Sequence, residues 1–335
     1  MLKIKQIISA DTQEWHLAWS NCDYATYFHS PEWSYIVRKY SDGAIEPITK
    51  KISFNDGTSA FFILSATKSL KGLVDVYESA PLGVYGGWIS TYPLSDQHAT
   101  LIQSHIINTY PNLIWRINPF HPHKSSFTDQ KQLKNETSYA VPLETSLDEL
   151  QKNLRRNTRR NINKAKKLDL SIEMIHLHQI PDYYSIYVQA LSRWVKKGEI
   201  KSHYQIEIFQ YLFESSYCDF WGVFHDRKLI CAGPILKSKK HVVTWLGLTH
   251  EDYINKGINQ FFYFHLIQYY KNQGFAWFDF NPSSELKGVE HYKKGFPTTA
   301  LPAPVLDNRS FLLKRLQKSK VVLTSKINKI FPKDS

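Results

Sequence analysis

The spacing of hydrophobic residues predicts alternating helices and strands along most of the chain. Apolar residues recur at helical spacing in residues 32–40 and 183–196, and short apolar runs typical of strands lie between polar turns. The predicted strands are 59–66, 72–78 and 84–90 in the first half and 220–225, 229–236 and 241–248 in the second half, with a turn at 225–228. Strands joined by helices and hairpins predict an α/β fold, a mixed α+β sheet with helices on its faces.

The second half repeats part of the first. The strands LIWRINP and AWFDFNP both end in an Asn-Pro pair, and Asn281 lies 163 positions after Asn118. The helix-like stretches 94–109 and 257–272 keep the same separation. Solenoid repeats are only about 20 to 50 residues long. The repeat therefore predicts two tandem domains, and the alternative is a chance match of short apolar words.

Length supports this division. A chain of 335 residues is long for one core and suits two domains of about 150 residues each. We predict a first domain over residues 1–140, a second over 141–305 and a C-terminal segment over 306–335. Aromatic residues make up 14% of the chain, which is enough for two large cores.

Cysteine usage and the N-terminal residues both indicate a reducing compartment. Cys22, Cys218 and Cys231 are scattered and form neither a disulfide framework nor a C-x-x-C metal knuckle. Asp11 and Glu14 occur before a signal-peptide core could form, and no apolar run reaches the roughly 20 residues that span a bilayer. We therefore expect a cytoplasmic protein.

A strongly basic segment opens the second half. Residues 146–149 have the pattern of a helix capping box, and apolar residues then recur at helical spacing from Leu147 to Leu168. The rest of this predicted helix carries eight cations and no acid: Lys152, Arg155, Arg156, Arg159, Arg160, Lys164, Lys166 and Lys167. In a chain of net charge +12, such uncompensated cations indicate a bound anion. The alternative is a solvated helix face.

Four kinds of anion suit this segment. They are the phosphates of an aminoacyl-tRNA, the pyrophosphate of a lipid-linked glycan precursor, the phosphates of coenzyme A and an anionic lipid. No zinc finger, RNP motif or other dedicated nucleic-acid module occurs in the sequence. We therefore expect no DNA partner.

Two motifs resemble those of a known family. The closing segment combines the strand WFDFNP, which carries Asp279, with the sequence YKKGFP that begins at Tyr292, and the basic segment contains NTRRNINKA. Both are similar to segments of the Fem family, the aminoacyltransferases that build peptidoglycan bridges, which is related to the acyltransferases of the GNAT superfamily. The resemblance covers roughly residues 20–300 and implies two tandem GNAT-like domains.

The resemblance implies transfer of an aminoacyl or acyl group from an activated carrier to an amine of a cell-envelope precursor, such as a lipid-linked muropeptide or an amino-sugar glycan. The donor would be an aminoacyl-tRNA, or an acyl-CoA or acyl carrier protein, with no tightly bound cofactor. Fem enzymes that use tRNA often carry an inserted helical arm, and the segment 147–168 is too short for a long one. A second candidate is therefore an N-acyltransferase dependent on acyl-CoA or acyl carrier protein. The third is a noncatalytic anion- or nucleic-acid-binding module.

The resemblance also implies roles for residues of the closing segment. An amine that attacks a carbonyl needs positioned partners, a proton acceptor and stabilisation of an oxyanion. Lys293 would meet the developing negative charge or the donor's phosphate, and Tyr292 would stack on the donor. Asp279 would orient Lys293 or the incoming amine, and Asn281 would bind substrate beside it. We expect Lys293 to be a flexible residue at the cleft mouth whose replacement leaves the fold intact.

Two other segments supply binding candidates. Arg155 and Arg159 lie one turn apart on the predicted basic helix. Tyr85 and Gly86 belong to PLGVYGG, which is similar to a Fem segment that lines the acceptor cleft. The alternative for Tyr85 is an aromatic ring packed over a glycine turn.

The loop before residue 258 stands where GNAT enzymes have the coenzyme A pyrophosphate loop, (Q/R)-x-x-G-x-(G/A). It keeps Gly257, but Ile254 replaces the Gln or Arg and Asn259 replaces the small residue, which weakens an acetyl-CoA interpretation. Lys256 and Asn259 remain candidates for contact with the donor or acceptor. The alternative for Asn259 is capping of the helix that follows.

Other chemistries lack their usual motifs. The chain has no G-x-S-x-G, P-loop, G-x-G-x-x-G or H-E-x-x-H sequence. His121 and His123 are separated by one proline and have no cysteine nearby, which makes a poor metal clamp, so we expect no metal. His291 has the chemistry to take a proton from an amine, although a surface position suits it better.

The C-terminal segment is basic and amphipathic. Apolar residues recur at helical spacing among lysines and arginines, namely Leu312, Leu316, Leu323, Ile327 and Ile330. Residues 310–331 therefore suit peripheral contact with an anionic membrane, at its inner face. The alternative is packing against the first domain, to which Fem-like chains return a C-terminal helix.

Overall fold

The strands of this protein form three sheets that are covered by helices. The computed structural model describes residues 1–124, 133–196, 203–283 and 286–316. Within these residues the sheets have four, six and eight strands. The two smaller sheets are built mainly by the first half of the chain and the largest by the second half. The architecture confirms the predicted mixed α/β fold.

The first half alternates helices with strands of both small sheets. Its elements are β1 Ile4–Ser9, α1 Thr12–Asn21, α2 Pro31–Tyr40, β2 Ile45–Pro47, β3 Lys50–Phe54, β4 Ser59–Ile63, β5 Ser65–Ser69, β6 Val74–Ser79, β7 Gly87–Ile89, α3 Asp96–Thr109, β8 Leu113–Arg116 and β9 Leu133–Lys134. The four-stranded sheet has the order β1-β3-β4-β7.

The second half builds the eight-stranded sheet. Its elements are β10 Thr137–Pro142, α4 Leu147–Lys152, α5 Arg156–Ala165, β11 Ser171–Met174, α6 Ile180–Lys196, α7 Ile206–Phe213, β12 Cys218–His225, β13 Lys228–Lys237, β14 His241–Thr244, β15 Leu248–Thr249, α8 Ile258–Asn272, β16 Trp277–Pro282, α9 Lys287–Lys293, β17 Thr299–Pro302 and β18 Val305–Asp307. The order is β11-β12-β13-β14-β16-β10-β17, with β15 paired to β13.

The structure confirms the duplication predicted from the Asn-Pro motifs. In the first half, α3 is followed by β8, and in the second half α8 is followed by β16. Both strands pair in parallel with a neighbour, β8 with β6 and β16 with β14. Each half therefore repeats one helix and strand unit around its own sheet.

The chain crosses between the halves at its last strand. β10 and β17 lie in the sheet of the second half, where β10 pairs with β16. β18 then returns to the first half and pairs with β8 and β9, which gives the six-stranded order β2-β5-β6-β8-β18-β9.

Aromatic residues from both halves share one core. Trp33 of α2 is 0% exposed and packs edge-on against Trp245 at 5.8 Å between ring centroids. Tyr183 of α6 and Phe28 belong to the same buried cluster. Because burial of a large apolar side chain stabilises the fold by about 1.5 to 3 kcal/mol, this core holds the two halves against each other.

The predicted single helix over residues 147–168 is wrong. The structure contains two helices, α4 and α5, separated at residues 153–155. The backbone of Arg155 is extended, with ψ of 147°, and its N–H donates to the Gly295 carbonyl at 3.0 Å. A helix needs that N–H for the carbonyl four residues earlier, so this long-range bond breaks the helix.

The described part of the C-terminal segment packs against the first half. Residues 311–316 are helical, and Leu313 is only 3% exposed. Arg309 and Lys314 form ion pairs with Asp307 at 2.7 and 3.5 Å, and the Ser310 N–H donates to the Asn112 side chain at 3.3 Å. Residues 317–331 of the predicted membrane-contact segment lie outside the described residues.

Candidate active site

A buried carboxylate lies where the two halves meet. Side chains of β16 alternate between the two faces of the sheet, so Phe278 and Phe280 enter the core under α8 while Asp279 points the opposite way. Asp279 is 0% exposed. Its Oδ1 accepts from the Asn281 N–H at 2.9 Å and from the Ser138 hydroxyl at 2.8 Å. Its Oδ2 has no hydrogen-bond partner within the described ranges of the chain.

Ser138 connects Asp279 to the first half. Ser138 lies on β10, and its hydroxyl accepts from the hydroxyl of Tyr85 at 2.6 Å. The structure therefore brings the predicted residues Tyr85 and Asp279 together through a serine that the sequence did not single out. Ser138 reaches Asp279 only because β10 pairs with β16, and no local sequence motif predicts that pairing.

Burial controls the ionisation of Asp279. It raises the pKa of the carboxyl from 3.8 to about 6, against the opposing effects of the hydrogen bonds from Ser138 and the Asn281 N–H, of the nearby Tyr85 hydroxyl and of the positive charge of Lys293. The carboxylate is therefore mostly ionised at neutral pH but accepts a proton far more readily than a surface aspartate.

Lys293 is buried, contrary to the expectation of a flexible residue at the cleft mouth. It is the last residue of α9 and is 6% exposed. Its Nζ donates to the carbonyl oxygens of Asn281 and Pro282 at 2.5 and 3.1 Å. The ammonium is held inside because these carbonyls, at the end of β16, need donors. Lys293 thus fixes the segment that carries Asn281 and also acts on Asp279 through its charge.

Asn281 spans the point where two parallel strands separate. β14 and β16 pair from His241 to Val243, opposite Trp277 to Asp279. Beyond that point the Asn281 side chain donates to the Thr244 carbonyl at 2.8 Å, and its own backbone has a φ of 60°. A left-handed backbone in a non-glycine residue is uncommon and is tolerated best by Asn and Asp. Beyond Val243 a side-chain hydrogen bond therefore links the two strands in place of the backbone ladder.

A basic concavity lies between α5 and the loop that precedes α8. It has a volume of about 620 Å³. The lining residues are Arg156, Arg159, Arg160, Asn161, Asn163, Lys164, Lys167 and Asn255, with no acidic residue among them. Lys164 Nζ donates to the Asn255 carbonyl at 2.7 Å, which ties the helix to the loop.

Gly257 makes this concavity possible. It is the N-cap of α8, with a φ of 79°. A Cβ at this position would lie 2.1 Å from the carbonyl oxygen of Asn161. Only glycine fits such a left-handed, crowded position. The first turn of α8, with its unsatisfied N–H groups and positive dipole end, therefore lies directly beside the cations of α5.

The two predicted arginines have different surroundings. Arg155 is the N-cap residue of α5 and does not line the concavity. Arg159 lines the concavity, and its Nη2 donates to the carbonyls of Gln151, Lys152 and Leu154 at 3.2, 2.8 and 3.3 Å. Arg159 thus caps the end of α4 with one nitrogen. A role for either residue in binding a substrate stays a prediction.

Asn259 and Tyr292 form a contact behind the loop. The Tyr292 hydroxyl donates to Asn259 Oδ1, and Asn259 Nδ2 donates to the Thr249 hydroxyl at 3.2 Å. The alternative that Asn259 caps α8 is wrong, because Gly257 holds the N-cap position. The Tyr292 ring packs against Phe296 at 5.6 Å between centroids. Stacking of Tyr292 on a donor stays a prediction.

Lys256 lies at the same loop, where its ammonium stands 4.2 Å from the centre of the Tyr253 ring. A cation over an aromatic face is stabilised by about 0.5 to 1 kcal/mol at an exposed site. This contact holds the ammonium beside the concavity, although Lys256 is not one of its lining residues.

Gly86 has a structural reason to be glycine. A Cβ there would lie 2.1 Å from the Ser79 carbonyl oxygen, so β6 and this segment approach too closely for any side chain. The Gly86 carbonyl contacts Nε2 of His29 at 3.2 Å, and burial lowers the pKa of His29 to about 4, which keeps that ring neutral. The close approach holds the neighbouring Tyr85, whose ring packs against Phe28 at 6.3 Å.

The remaining histidines do not form a metal site. His123 pairs with Asp96 at 2.7 Å, and His121 is buried against Trp88. No group of three or more His, Cys, Asp or Glu side chains suited to a metal occurs in the part of the chain that the structure describes. His291 is exposed.

None of the described helices is long and apolar enough to cross a membrane.

A family model for a GNAT acetyltransferase domain matches residues 152–294. The matched range starts at the end of α4 and stops just after Lys293. It therefore contains the basic concavity, Asp279 and Asn281, but neither Tyr85 nor Ser138. A search of curated proteins finds no significant match.

Solved structures share the fold over almost the whole chain. FemX has a TM-score of 0.68 at 12% identity, covering 94% of this chain and 100% of that chain. The C-terminal domain of a putative lysylphosphatidylglycerol synthetase from Agrobacterium fabrum has a TM-score of 0.56 at 12% identity, with coverages of 93% and 98%. L-PGS from Bacillus licheniformis has a TM-score of 0.52 at 12% identity, with coverages of 87% and 96%. At these identities the similarity shows the fold, which agrees with the two tandem GNAT-like domains expected from the sequence.

Proposed function

We propose that this chain, which has the fold of FemX and matches a GNAT acetyltransferase domain over residues 152–294, transfers an aminoacyl or acyl group from an activated carrier to an amine of a cell-envelope precursor. The basic concavity between α5 and the first turn of α8 is the observation that carries this proposal. The cell-envelope acceptor is supported by the fold shared with FemX and with the lysylphosphatidylglycerol synthetases.

The concavity suits the phosphates of a donor. A helix N-terminus offers backbone N–H groups and the positive end of the helix dipole to an anion. Arg156, Arg160, Lys164 and Lys167 add charge without an acidic neighbour in the lining. Such a surface binds a polyanion through its backbone phosphates, independently of sequence. We favour an aminoacyl-tRNA, which the enzyme would meet in the cytoplasm.

A donor with a phosphopantetheine arm, acyl-CoA or acyl carrier protein, is the second candidate. Its support is Gly257, which keeps the close approach of loop and helix that such loops require. The family model is likewise that of an acetyltransferase domain. Ile254 and Asn259 depart from the pattern of a coenzyme A loop, which is why we place this donor second.

Asp279 would accept the proton of the attacking amine. In the reaction, the amine nitrogen bonds to the donor carbonyl carbon, the carbon to oxygen or carbon to sulfur bond of the donor breaks, and the leaving group takes up a proton. The amine proton would pass to Asp279 Oδ2, which lacks a hydrogen-bond donor among the described residues. Entry of the amine would supply that missing partner.

Lys293 and Asn281 would act beside it. The ammonium of Lys293 lowers the pKa of Asp279 and is the buried positive charge available to a developing oxyanion. Asn281 would hold the gap between β14 and β16 for the reacting carbonyl, since its side chain already bridges that gap.

Mass spectrometry of envelope precursors from cells with and without the protein tests the proposal. An added amino acid and an added fatty acyl group differ plainly in mass, so the same measurement separates the two donors. Purified protein with aminoacyl-tRNA or acyl-CoA and the accumulated precursor should then restore the modification, and Asp279→Asn should not. A protein that binds tRNA but changes no precursor would instead be a noncatalytic binding module.

A further inference from the structure

Two hydroxyl groups link Asp279 to the first half of the chain. The Tyr85 hydroxyl donates to Ser138 Oγ at 2.6 Å, and Ser138 Oγ donates to Asp279 Oδ1 at 2.8 Å. All three side chains are 0% exposed. Tyr85 lies between β6 and β7, whereas Ser138 and Asp279 lie on the neighbouring strands β10 and β16.

The direction of these hydrogen bonds is fixed by chemistry. An ionised carboxylate can only accept, so the single proton of Ser138 must point to Asp279. The Ser138 oxygen then has lone pairs left for the Tyr85 proton. Burial and the nearby charge of Asp279 raise the pKa of Tyr85 well above its usual value, so Tyr85 stays a donor. Chained hydrogen bonds of this kind polarise and strengthen one another.

The first half of the protein holds Tyr85, where this series of hydrogen bonds begins, in a fixed position. The Gly86 N–H donates to the Arg116 carbonyl at 2.8 Å, and the Gly87 N–H donates to the Ser79 hydroxyl at 2.7 Å. No side chain fits at Gly86. Tyr85 therefore cannot move without disturbing the contact of its own segment with β6 and β8.

We propose that Tyr85 and Ser138 are positioning residues, through which the first domain orients Asp279 Oδ1 and leaves Oδ2 directed at the acceptor amine. This inference rests on the proposed role of Asp279 as proton acceptor. The orientation of Asp279, the proton acceptor in the second domain, then depends on how the first domain packs against the second. Removal of either hydroxyl leaves the reacting carboxylate in place but misoriented and harder to ionise.

The charged and titratable groups around Asp279 define the expected pH effect. Lys293 acts from α9, Tyr85 from the first half, and the charge of Arg116 reaches Tyr85 from β8. The hydrogen bond from Ser138 and the nearby hydroxyl of Tyr85 both lower the pKa of Asp279. Loss of a donor to the charged form raises that pKa, so the acid limb of the pH profile should move to higher pH.

The experiment compares Tyr85→Phe and Ser138→Ala with wild type in the full chain. We expect the acid limb of the pH profile of kcat/KM to shift to higher pH, by about one unit in Ser138→Ala and by less in Tyr85→Phe. A hydrogen bond to a charged group stabilises the charged form by about the free energy of one pKa unit or more. Ser138→Thr keeps the hydroxyl and should restore the wild-type profile. Infrared titration of the Asp279 carboxyl, identified by its absence in Asp279→Asn, should show the same shifts without substrate.

The chain contains a matched control for these variants. The Tyr27 hydroxyl donates to Ser215 Oγ at 3.3 Å, and Ser215 donates to Glu32 at 2.9 Å, which is another tyrosine, serine and carboxylate series between the two halves. Tyr27→Phe removes the same kind of buried hydroxyl and should leave the pH profile and the Asp279 titration unchanged.

Two results would overturn the inference. One is an unshifted Asp279 titration in a folded Tyr85→Phe or Ser138→Ala protein, and the other is an equal shift in Tyr27→Phe. If Ser138→Ala does not fold, Tyr85→Phe and Ser138→Thr decide the question by the same measurements. Wild-type turnover by Asp279→Asn would remove Asp279 from the proposed reaction, while the infrared titration would still report whether the two hydroxyls control its carboxyl.

Discussion

Asp279 should reduce the stability of the protein at the pH where it works. Burial raises its pKa from 3.8 to about 6, and since one pKa unit corresponds to about 1.4 kcal/mol, the ionised form is disfavoured by about 3 kcal/mol in the folded state. A group with a raised folded pKa gives its full stabilisation below pH 3.8 and loses it as the pH rises through about 6. Asp279→Asn cannot ionise and should not show this loss.

The expected result is a pH-dependent gain in stability with a loss of function. The free energy of unfolding of Asp279→Asn, minus that of wild type, should increase by about 2.4 kcal/mol between pH 4 and pH 8. The difference at pH 4 combines the change from a neutral carboxyl to an amide with about 0.6 kcal/mol from ionisation of the unfolded chain. Urea unfolding followed by tryptophan fluorescence measures both proteins across this range, and transfer activity is measured at pH 7.5.

Asp226→Asn provides the control, because its side chain is 86% exposed in the turn between β12 and β13. That variant should follow wild type across the whole pH range. The reasoning is refuted if the stability difference for Asp279→Asn is the same at pH 4 and pH 8. A constant difference would mean that the carboxyl has the same pKa in the folded and unfolded states, so that burial does not raise it towards neutral pH.

Three further predictions concern the site and the C-terminal segment. Lys293→Met keeps the aliphatic stem but leaves two carbonyls without their donor. We therefore expect at least a 100-fold loss of transfer in single-turnover assays and a loss of about 1 to 3 kcal/mol in the free energy of unfolding. Wild-type values of both would exclude the role assigned to this lysine. Arg160→Glu should weaken donor binding and lower the slope of log affinity against log salt concentration by about one unit. Lys152→Glu, at an exposed residue outside the concavity, should change neither. Equal effects of the two variants would mean that the concavity is only a solvated surface. Leu313→Ala should destabilise the protein by about 2 to 5 kcal/mol, and replacement of the exposed neighbour, Leu312→Ala, by less than about 0.5 kcal/mol. Thermal unfolding of the two variants measures this contrast. Similar melting temperatures would mean that this segment does not pack against the first half.

The sequence allowed prediction of the scaffold wherever local signals were strong. The Asn-Pro pair after each repeated strand identified the duplication, and the turn at 225–228 between β12 and β13 followed from its polar residues. Asp279 was singled out as an acid in an apolar strand, and Tyr85 by the similarity of its glycine-containing segment to one of the Fem family. Each single motif lies within about ten residues, which is the range over which hydrophobic spacing and turn chemistry act, and the duplication was visible because one such motif recurs 163 positions later.

Features that depend on distant contacts were missed. Ser138 is an ordinary strand residue until β10 pairs with β16, more than 130 positions later in the chain. The break between α4 and α5 depends on the Gly295 carbonyl, which no helical periodicity reveals. Lys293 was expected at the surface because lysines usually lie there, and its burial depends on the two carbonyls at the end of β16.

The return of β18 to the first half sets the order in which the protein can mature during synthesis. β8 is complete at residue 116, but its neighbour β18 begins at Val305. Ribosomes add about 5 to 20 residues each second, so β8 waits for many seconds with one edge unpaired while the second half is made. An exposed strand edge is a template for pairing with other chains. The nascent first domain is therefore a natural client for chaperones, and it closes its six-stranded sheet only when the whole second domain has left the ribosome.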